Sequence, residues 1–377
     1  MFYLDSLQLR GFRNYHNQHI NFHRRFNIFV GDNGQGKTNL LEAIYYLSVT
    51  RSFRTKRDFE LVNFEDRFFY LSGIFIKSFI SHKVQMSYQI NESLQVKIDN
   101  NLTDRFNHLQ RFPVITFSPD DLQIIRDGPA VRRRFLNLEG SRLNPLFFQE
   151  LKKYQRVLIQ RNNLLRDMAS RNKIEKYIEP WNQALIEHGS RIIIERIKLM
   201  KILQEEASPF FKEMSGSSEE LTLKYRSNLK IDVDLDDYDK IRKNYEEILA
   251  SKKDLELKRG STQVGPHLDD FSILINGADS RFFSSQGQKR TAALALKMAE
   301  VNLFTRNNYE EPIILLDDVF SEFDDTRKKH LLTFLSNNSS QCFISSASGI
   351  NEFIHNLPGE HKIFKITQGT VLDETDQ

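Results

Sequence analysis

Gly31-Asp32-Asn33-Gly34-Gln35-Gly36-Lys37-Thr38 is the stretch from which this chain is best read. An apolar run, Phe26-Asn27-Ile28-Phe29-Val30, leads into it, and Leu40-Leu41-Glu42-Ala43-Ile44-Tyr45-Tyr46-Leu47 leads away. The order is strand, glycine-rich loop, helix, and every fixed position of G-x-x-x-x-G-K-[ST] is filled. Three glycines let successive backbone amides curl round a polyphosphate without Cβ clashes. A helix starting near Lys37 turns its positive end toward that anion. The expectation is that Gly31 to Thr38 bind a nucleoside triphosphate, with Lys37 on the outer phosphates and the Thr38 hydroxyl on Mg²⁺.

Ahead of the loop, Leu4, Leu7 and Leu9, a Gly11-Phe12-Arg13-Asn14-Tyr15 corner, and then Ile20 and Phe22 predict paired strands. Behind its helix lies Arg51-Ser52-Phe53-Arg54-Thr55-Lys56-Arg57, four cations around one aromatic residue. It reads either as a solvated loop or as a surface that meets phosphates of ATP or DNA. Tyr70 to Ile76, Val84 to Ile90 and Leu94 to Ile98 alternate, with Asn91-Glu92-Ser93 and Asp99-Asn100-Asn101 as turn residues, and predict an antiparallel meander. Val114-Ile115-Thr116-Phe117 is a further strand, and Ser118-Pro119-Asp120-Asp121 after it reads as the N-cap of a short helix near Leu122.

The texture changes near Gly128-Pro129. From Val131 to about Phe211 apolar residues recur every three or four positions, as in the stripe Tyr154, Val157, Leu158 and Leu165, and Trp181 is expected in the core. Residues 131–213 hold 17 Lys and Arg against 10 Asp and Glu, a net +7 in a chain whose total is +3. That asymmetry says more about partners than the total does. Strand and helix alternate again beyond it. Arg259 to His267 is too rich in Gly and Pro for regular structure, and His267 reads as a turn residue rather than one facing a nucleotide.

Two late stretches complete the chemistry. Phe283-Ser284-Ser285-Gln286-Gly287-Gln288-Lys289-Arg290 opens a long Ala/Leu helix expected from Thr291 to about Phe304, a second anion-binding geometry. Pro312-Ile313-Ile314-Leu315-Leu316-Asp317-Asp318 is an apolar run ending in paired acids, the place for a Mg²⁺-holding carboxylate beside a phosphate loop. Ser321-Glu322-Phe323-Asp324, a helix, and the strand Cys342-Phe343-Ile344 follow. Cys342 is the only cysteine, which excludes an intramolecular disulfide. No signal peptide and no membrane span is visible, so a cytoplasmic protein with no membrane partner is expected.

Taken together, these parts resemble the split ATP-binding-cassette heads of the SMC class, and within it the bacterial RecF recombination-mediator family. The resemblance is carried by Arg51 to Thr55, Phe117 to Leu122, Arg132-Arg133-Arg134-Phe135-Leu136, Gln160-Arg161-Asn162, Val264-Gly265-Pro266-His267 and Ser284 to Gln288. It implies an α/β fold: an ATP-binding-cassette P-loop ATPase head with an antiparallel β subdomain and an inserted α-helical domain. The expected division is 1–128 and 258–377 for the head and 129–257 for the insertion. The resemblance also implies ATP as the nucleotide on Gly31 to Thr38, Asp317 on Mg²⁺ and Asp318 as the acid that polarises water. Ser285, Gln286, Gly287 and Gln288 would be a signature loop contacting the γ-phosphate held by a second protomer, with Ser321 and Asp324 near that interface. Three positions depart from the family pattern. Ser346 stands where cassette ATPases often have His, Asn137 where Asp is common, and Leu268 where Arg is common; Gln123 is a weak glutamine-loop candidate.

The function so implied is an ATP-driven dimer clamp on single-stranded, gapped or junction DNA in repair, replication and recombination. Slow, DNA-stimulated hydrolysis would act as a switch, and RecR and RecO would be partners in loading RecA. The rival classes are a P-loop hydrolase or kinase of small-molecule metabolism and a transporter ATPase subunit. The Ser-Gln-Gly-Gln loop opening a helix speaks against the first, and the long basic helical insertion against the second.

Overall fold

The computed structural model describes residues 2–109, 111–168, 175–216, 219–229, 237–306, 311–346, 357 and 359–374. The chain divides into two compact units, residues 1–121 with 297–377, and residues 122–296.

In the first unit the opening hairpin forms as its alternation predicts, β1 (Phe2–Phe12) pairing antiparallel with β2 (Tyr15–Asn21). β3 (Phe26–Val30) runs into the glycine loop, and α1 (Lys37–Val49) leaves it. The meander follows as β4 (Phe68–Lys77), β5 (Ile80–Gln89), β6 (Gln95–Ile98) and β7 (Asn101–Thr103), giving an antiparallel sheet ordered β2-β1-β4-β5-β6-β7. α2 (Arg105–Leu109) then leads toward β8 (Val114–Phe117). The residue before α3 is Leu122, which offers no side-chain cap, so Ser118 to Asp121 do not stand at that helix's N-cap. Asp121 accepts instead from the Ser118 amide at 2.7 Å, within a 3₁₀ turn over Pro119–Leu122. The proline holds φ for that turn, and the acid closes it locally.

The second unit opens with α3 (Gln123–Arg126) and α4 (Pro129–Leu143), then α5 (Pro145–Met168) and α6 (Glu175–Met214). A small antiparallel sheet, β11-β10-β9, is built from β9 (Leu221–Arg226), β10 (Asp270–Ile275) and β11 (Ala278–Asp279). Between β9 and β10 lie α7 (Tyr238–Ser251) and α8 (Lys253–Arg259); after β11 come α9 (Ser280–Phe283) and α10 (Gln286–Arg306). This return differs from the expected boundary at 257. β10 pairs along its whole length with β9, and Arg132 of α4 grips Asp270 through two bonds of 2.8 Å, so residues 258–296 pack with the helices.

A buried polar web fastens the irregular segment 260–270 within this unit. Arg161 is buried with Glu256 at 2.5 Å and donates to Thr262 at 2.8 Å. Arg196 donates to the Pro266 carbonyl at 2.7 Å and to Asn137 Oδ1 at 2.8 Å, so the neutral Asn137 serves as an acceptor. His267 does not simply close a turn. It lies 2.6 Å from the Tyr154 hydroxyl, and burial pushes its imidazole down to about 4. Trp181 is half-buried rather than in the core.

The chain re-enters the first unit within α10 and supplies β12 (Ile313–Asp317), α11 (Val319–Glu322), α12 (Asp325–Asn337), β13 (Cys342–Ser346), β14 (His361–Thr367) and β15 (Thr370–Glu374). These join β3 and β8 in a second sheet, ordered β15-β14-β3-β13-β12-β8, parallel except for β15. Its central strands are mostly apolar, as suits strands covered on both faces; the buried Asn27 of β3 is satisfied by the His23 backbone, and the polar Asp317, Ser345 and Ser346 come at the carboxyl ends. α1 packs against strands of both sheets, which accounts for its burial on nearly every side. Gln341 also links them, accepting from Leu4 N at 2.7 Å and donating to Leu4 O at 2.9 Å.

Candidate nucleotide site

β3, β13 and β12 end side by side, in register Val30 beside Ser346 and Ser345 beside Asp317. The carboxyl edge of a parallel sheet is where backbone amides and side chains converge on a ligand. Gly31, Gly34 and Gly36 hold φ of 154°, 81° and 119°. A Cβ on Gly31 would stand 2.4 Å from the Ile366 carbonyl, so both conformation and space require glycine there.

Lys37 is buried and folds back on its own loop, donating to Gly31 O at 2.5 Å and to Asp32 O at 2.8 Å. Burial lowers its ammonium against the opposing charges of Asp318, Asp317 and Asp32. Those carbonyls hold the ammonium at the mouth of the amide cradle, where a polyphosphate offers stronger acceptors. Thr38 Oγ1 donates to Asp317 Oδ1 at 2.8 Å, and Ser345 Oγ donates to the same oxygen at 2.7 Å. Burial raises the Asp317 carboxyl, while the two hydroxyls and the charge of Arg54 lower it. One hydroxyl and one carboxylate suit Mg²⁺, which keeps most of its shell for water and phosphate. No group of three or more His, Cys, Asp and Glu that could cage a metal occurs among the described residues. Asp318 lies beside this pair in the left-handed region, φ 50°, with its amide on Ser345 Oγ at 3.0 Å. A non-glycine residue held there marks a position fixed by its surroundings.

Several supporting residues were not singled out from sequence as parts of this site. Asn14 donates to Gln35 O at 3.0 Å and accepts from Asn39 at 2.8 Å, and the Tyr15 hydroxyl donates to Gly36 O at 3.0 Å. The turn between β14 and β15 reaches the same loop: Gln368 N donates to Gln35 Oε1 at 2.6 Å and Gly369 N to Gln35 O at 3.0 Å. Glu42, wholly buried on α1, receives two bonds from Arg13 at 2.8 and 2.9 Å and a third from Ser52. Ser52 Oγ in turn accepts from the amides of Arg54 and Thr55, both at 2.9 Å. The basic loop is thus pinned to α1, and Arg54 reaches Asn39 Oδ1 at 2.9 Å. Only the glycine-lysine pattern has a sequence signature; these partners are brought in by folding.

Ser285, Gln286, Gly287 and Gln288 lie in the second unit, whereas the phosphate loop lies in the first. The helix begins at Gln286, five residues before the expected Thr291, because Ser285 and Gln288 form a capping box. Gln288 N donates to Ser285 Oγ at 3.2 Å, and Ser285 N donates to Gln288 Oε1 at 2.8 Å. Ser285 and Gln286 are exposed. Gln286 accepts from Arg126, and Gln288 donates to Glu219. Gln123 begins α3 in this unit. Ser321 and Asp324 belong to the first unit: Ser321 is exposed with its hydroxyl on Asp318 O at 2.7 Å, and Asp324 caps α12.

The family described as RecF/RecN/SMC N terminal domain matches residues 3–370. A protein of Bacillus thuringiensis (strain Al Hakam) named DNA replication and repair protein RecF is 36% identical over 378 residues, covering all of both chains. The chain belongs to the RecF family. A RecF of Bacillus anthracis (strain CDC 684 / NRRL 3495) matches to the same extent. A solved structure of the recombination mediator protein RecF-ATP in the RecFOR pathway is 38% identical, with a TM-score of 0.92 over 99% of this chain and 98% of that one. The Smc head domain of Pyrococcus furiosus, at 16% identity and a TM-score of 0.57 over 100% of this chain and 97% of that one, shares the fold. RecF chains of this kind have the ATP-binding-cassette ATPase head architecture, with its antiparallel and parallel sheets. No described helix is long and apolar enough to cross a membrane.

Proposed function

We propose that this chain is an ATP-dependent DNA-binding protein of replication, repair and recombination that closes as a dimer around nucleotide. The observation that carries it is the meeting of the glycine loop, Lys37, Thr38, Asp317 and Ser345 at one sheet edge, in a chain alike along its whole length to RecF proteins. The amides of Gly31 to Thr38 bind the phosphates, and Lys37 exchanges its two loop carbonyls for phosphate oxygens. Thr38 and Asp317 would hold Mg²⁺, which when bound would offset charge on the outer phosphates. Asp318 orients the water that attacks the γ-phosphorus, giving ADP and phosphate. Ser285 and the first turn of α10, Gln286 to Gln288, of a second copy seal the γ-phosphate through the exposed Ser285 and Gln286, with Ser321 and Asp324 near that face. Hydrolysis removes the group that both copies hold, so it releases the clamp and acts as a switch.

DNA is held through phosphate contacts from the basic loop and the helical insertion, which position without reading sequence. Single-stranded or gapped duplex is the DNA substrate, with RecR, RecO and RecA as partners. A metabolic kinase or hydrolase is not favoured, since full-length relatives carry the replication and repair name. Light scattering tests the clamp: ATP with Mg²⁺ shifts the wild type from monomer to dimer, and neither Lys37→Ala nor Ser285→Arg shifts. A wild type that stays monomeric at saturating ATP overturns it.

A further inference from the structure

The positive excess of the second unit is not spread evenly over its helices. On α6 the exposed charges alternate in sign and pair with one another: Arg191 with Glu187 at 2.8 Å, Lys198 with Glu195 at 3.1 Å. α5 differs. Between Lys152 and Arg166 its sequence contains no acidic residue. Its upstream acid, Glu150, is largely buried and already taken up by His188 at 2.7 Å, Lys153 at 3.1 Å and Arg191 at 3.5 Å. Lys152 and Arg156 are exposed with no described carboxylate in ion-pair range, and Arg166 donates within its own helix, to Asn162 O at 3.2 Å and Asn163 Oδ1 at 2.6 Å.

Helical spacing puts Lys152, Arg156, Asn163 and Arg166 on one face, with the exposed amides of Gln149, Gln155 and Gln160 beside them. At about 1.5 Å per residue the cations span roughly 21 Å, the length of about six base-pair steps at 3.4 Å. This face also carries the exposed Ile159, and the exposed Asp167 follows Arg166 at its end, but its cations and amide donors outnumber that one acid. Such a face suits a polyanion whose charges recur along a line, and phosphodiester backbone has that form.

We infer that the exposed face of α5, built on Lys152, Arg156 and Arg166, is the surface of the helical unit that contacts nucleic-acid backbone. This rests on the DNA-binding reading above and names the part of the insertion that performs it. The test is fluorescence anisotropy with a labelled gapped duplex, ATP and Mg²⁺, across a NaCl series. It compares wild type with Lys152→Gln/Arg156→Gln/Arg166→Gln and with Lys198→Gln/Lys201→Gln/Lys212→Gln, which removes the same charge from exposed positions of α6. Each cation withdrawn from a phosphate lowers the slope of log affinity against log salt by about 0.9. Withdrawing two to three of them in the α5 variant should therefore reduce its slope by about 1.8 to 2.7. Its affinity should fall about ten-fold or more, as expected when phosphates go unneutralised, while the α6 variant follows the wild type. If the α5 variant keeps the wild-type slope, or both variants weaken equally, the assignment to this face is overturned while DNA binding stands. A wild type that binds no DNA overturns the function itself and the surface with it.

Discussion

At the scale of single residues, the phosphate loop depends on side chains that never face its ligand. Glu42 is the clearest: a buried carboxylate that holds Arg13 on one side and, through Ser52, the amides of the basic loop on the other. Removing Glu42 leaves Arg13 about a fifth exposed and still donating to the Glu60 carbonyl, so the cost falls below that of a fully buried pair, at about 2 kcal/mol. Glu42→Ala should lower the urea midpoint accordingly and expose Arg51 to Arg57 to trypsin, with Glu42→Gln intermediate; an unchanged digest would show that the loop is anchored elsewhere. Two histidines carry a pH signature. Burial brings both His108 and His267 down to about 4, from an ordinary value near 6.5 in the unfolded chain. Between those values the unfolded state binds more protons, so stability must fall as pH drops from about 6.5 to 4, by roughly 3 kcal/mol for each ring. Denaturant unfolding at pH 7 and pH 5 measures this, and His267→Gln should remove its share of the slope. A flat profile would mean the rings are not held neutral.

At the scale of elements, the hairpin β14–β15 acts as a brace for a loop far away in sequence. Gly369, at φ 71°, has no room for a Cβ, which would stand 2.1 Å from Asn14 O. Gly369→Ala should push the turn off Gln35 and weaken ATP binding by about tenfold, worth about 1.4 kcal/mol; titration calorimetry reads it, and unaltered affinity would remove the brace from the account. β1, β2 and β4 to β6 were legible from alternation, β3, β8, β12 and β13 as apolar runs, and the helical run beyond residue 130 from three-to-four spacing. β7, β14 and β15 were not read, because each is short or half-polar and is fixed by the strand it pairs with. The start of α10 was not, because Ser285 and Gln288 cap each other, an arrangement hidden until the loop is seen to end at Ser285. Nor was the membership of β10, whose partner β9 lies some 45 residues earlier.

At the scale of the whole molecule, ATP with Mg²⁺ should stabilise the folded protein by about 2.7 kcal/mol at a hundredfold excess over Kd, seen as a raised Tm that Lys37→Ala abolishes. Asp318→Asn should bind ATP normally and accumulate as dimer in light scattering; loss of ATP binding instead would show that Asp318 belongs to the ground-state site. The phosphate loop was readable in the sequence alone because its glycines, lysine and threonine are consecutive, and local backbone geometry is dictated by neighbours in the chain. The choice of Ser345 and Thr38 to share Asp317, the burial of Glu42 against Arg13, and the concentration of uncompensated positive charge on α5 were decided by tertiary structure. Those depend on which distant segments the sheets and helices bring together, and residue type says nothing of a partner hundreds of positions away.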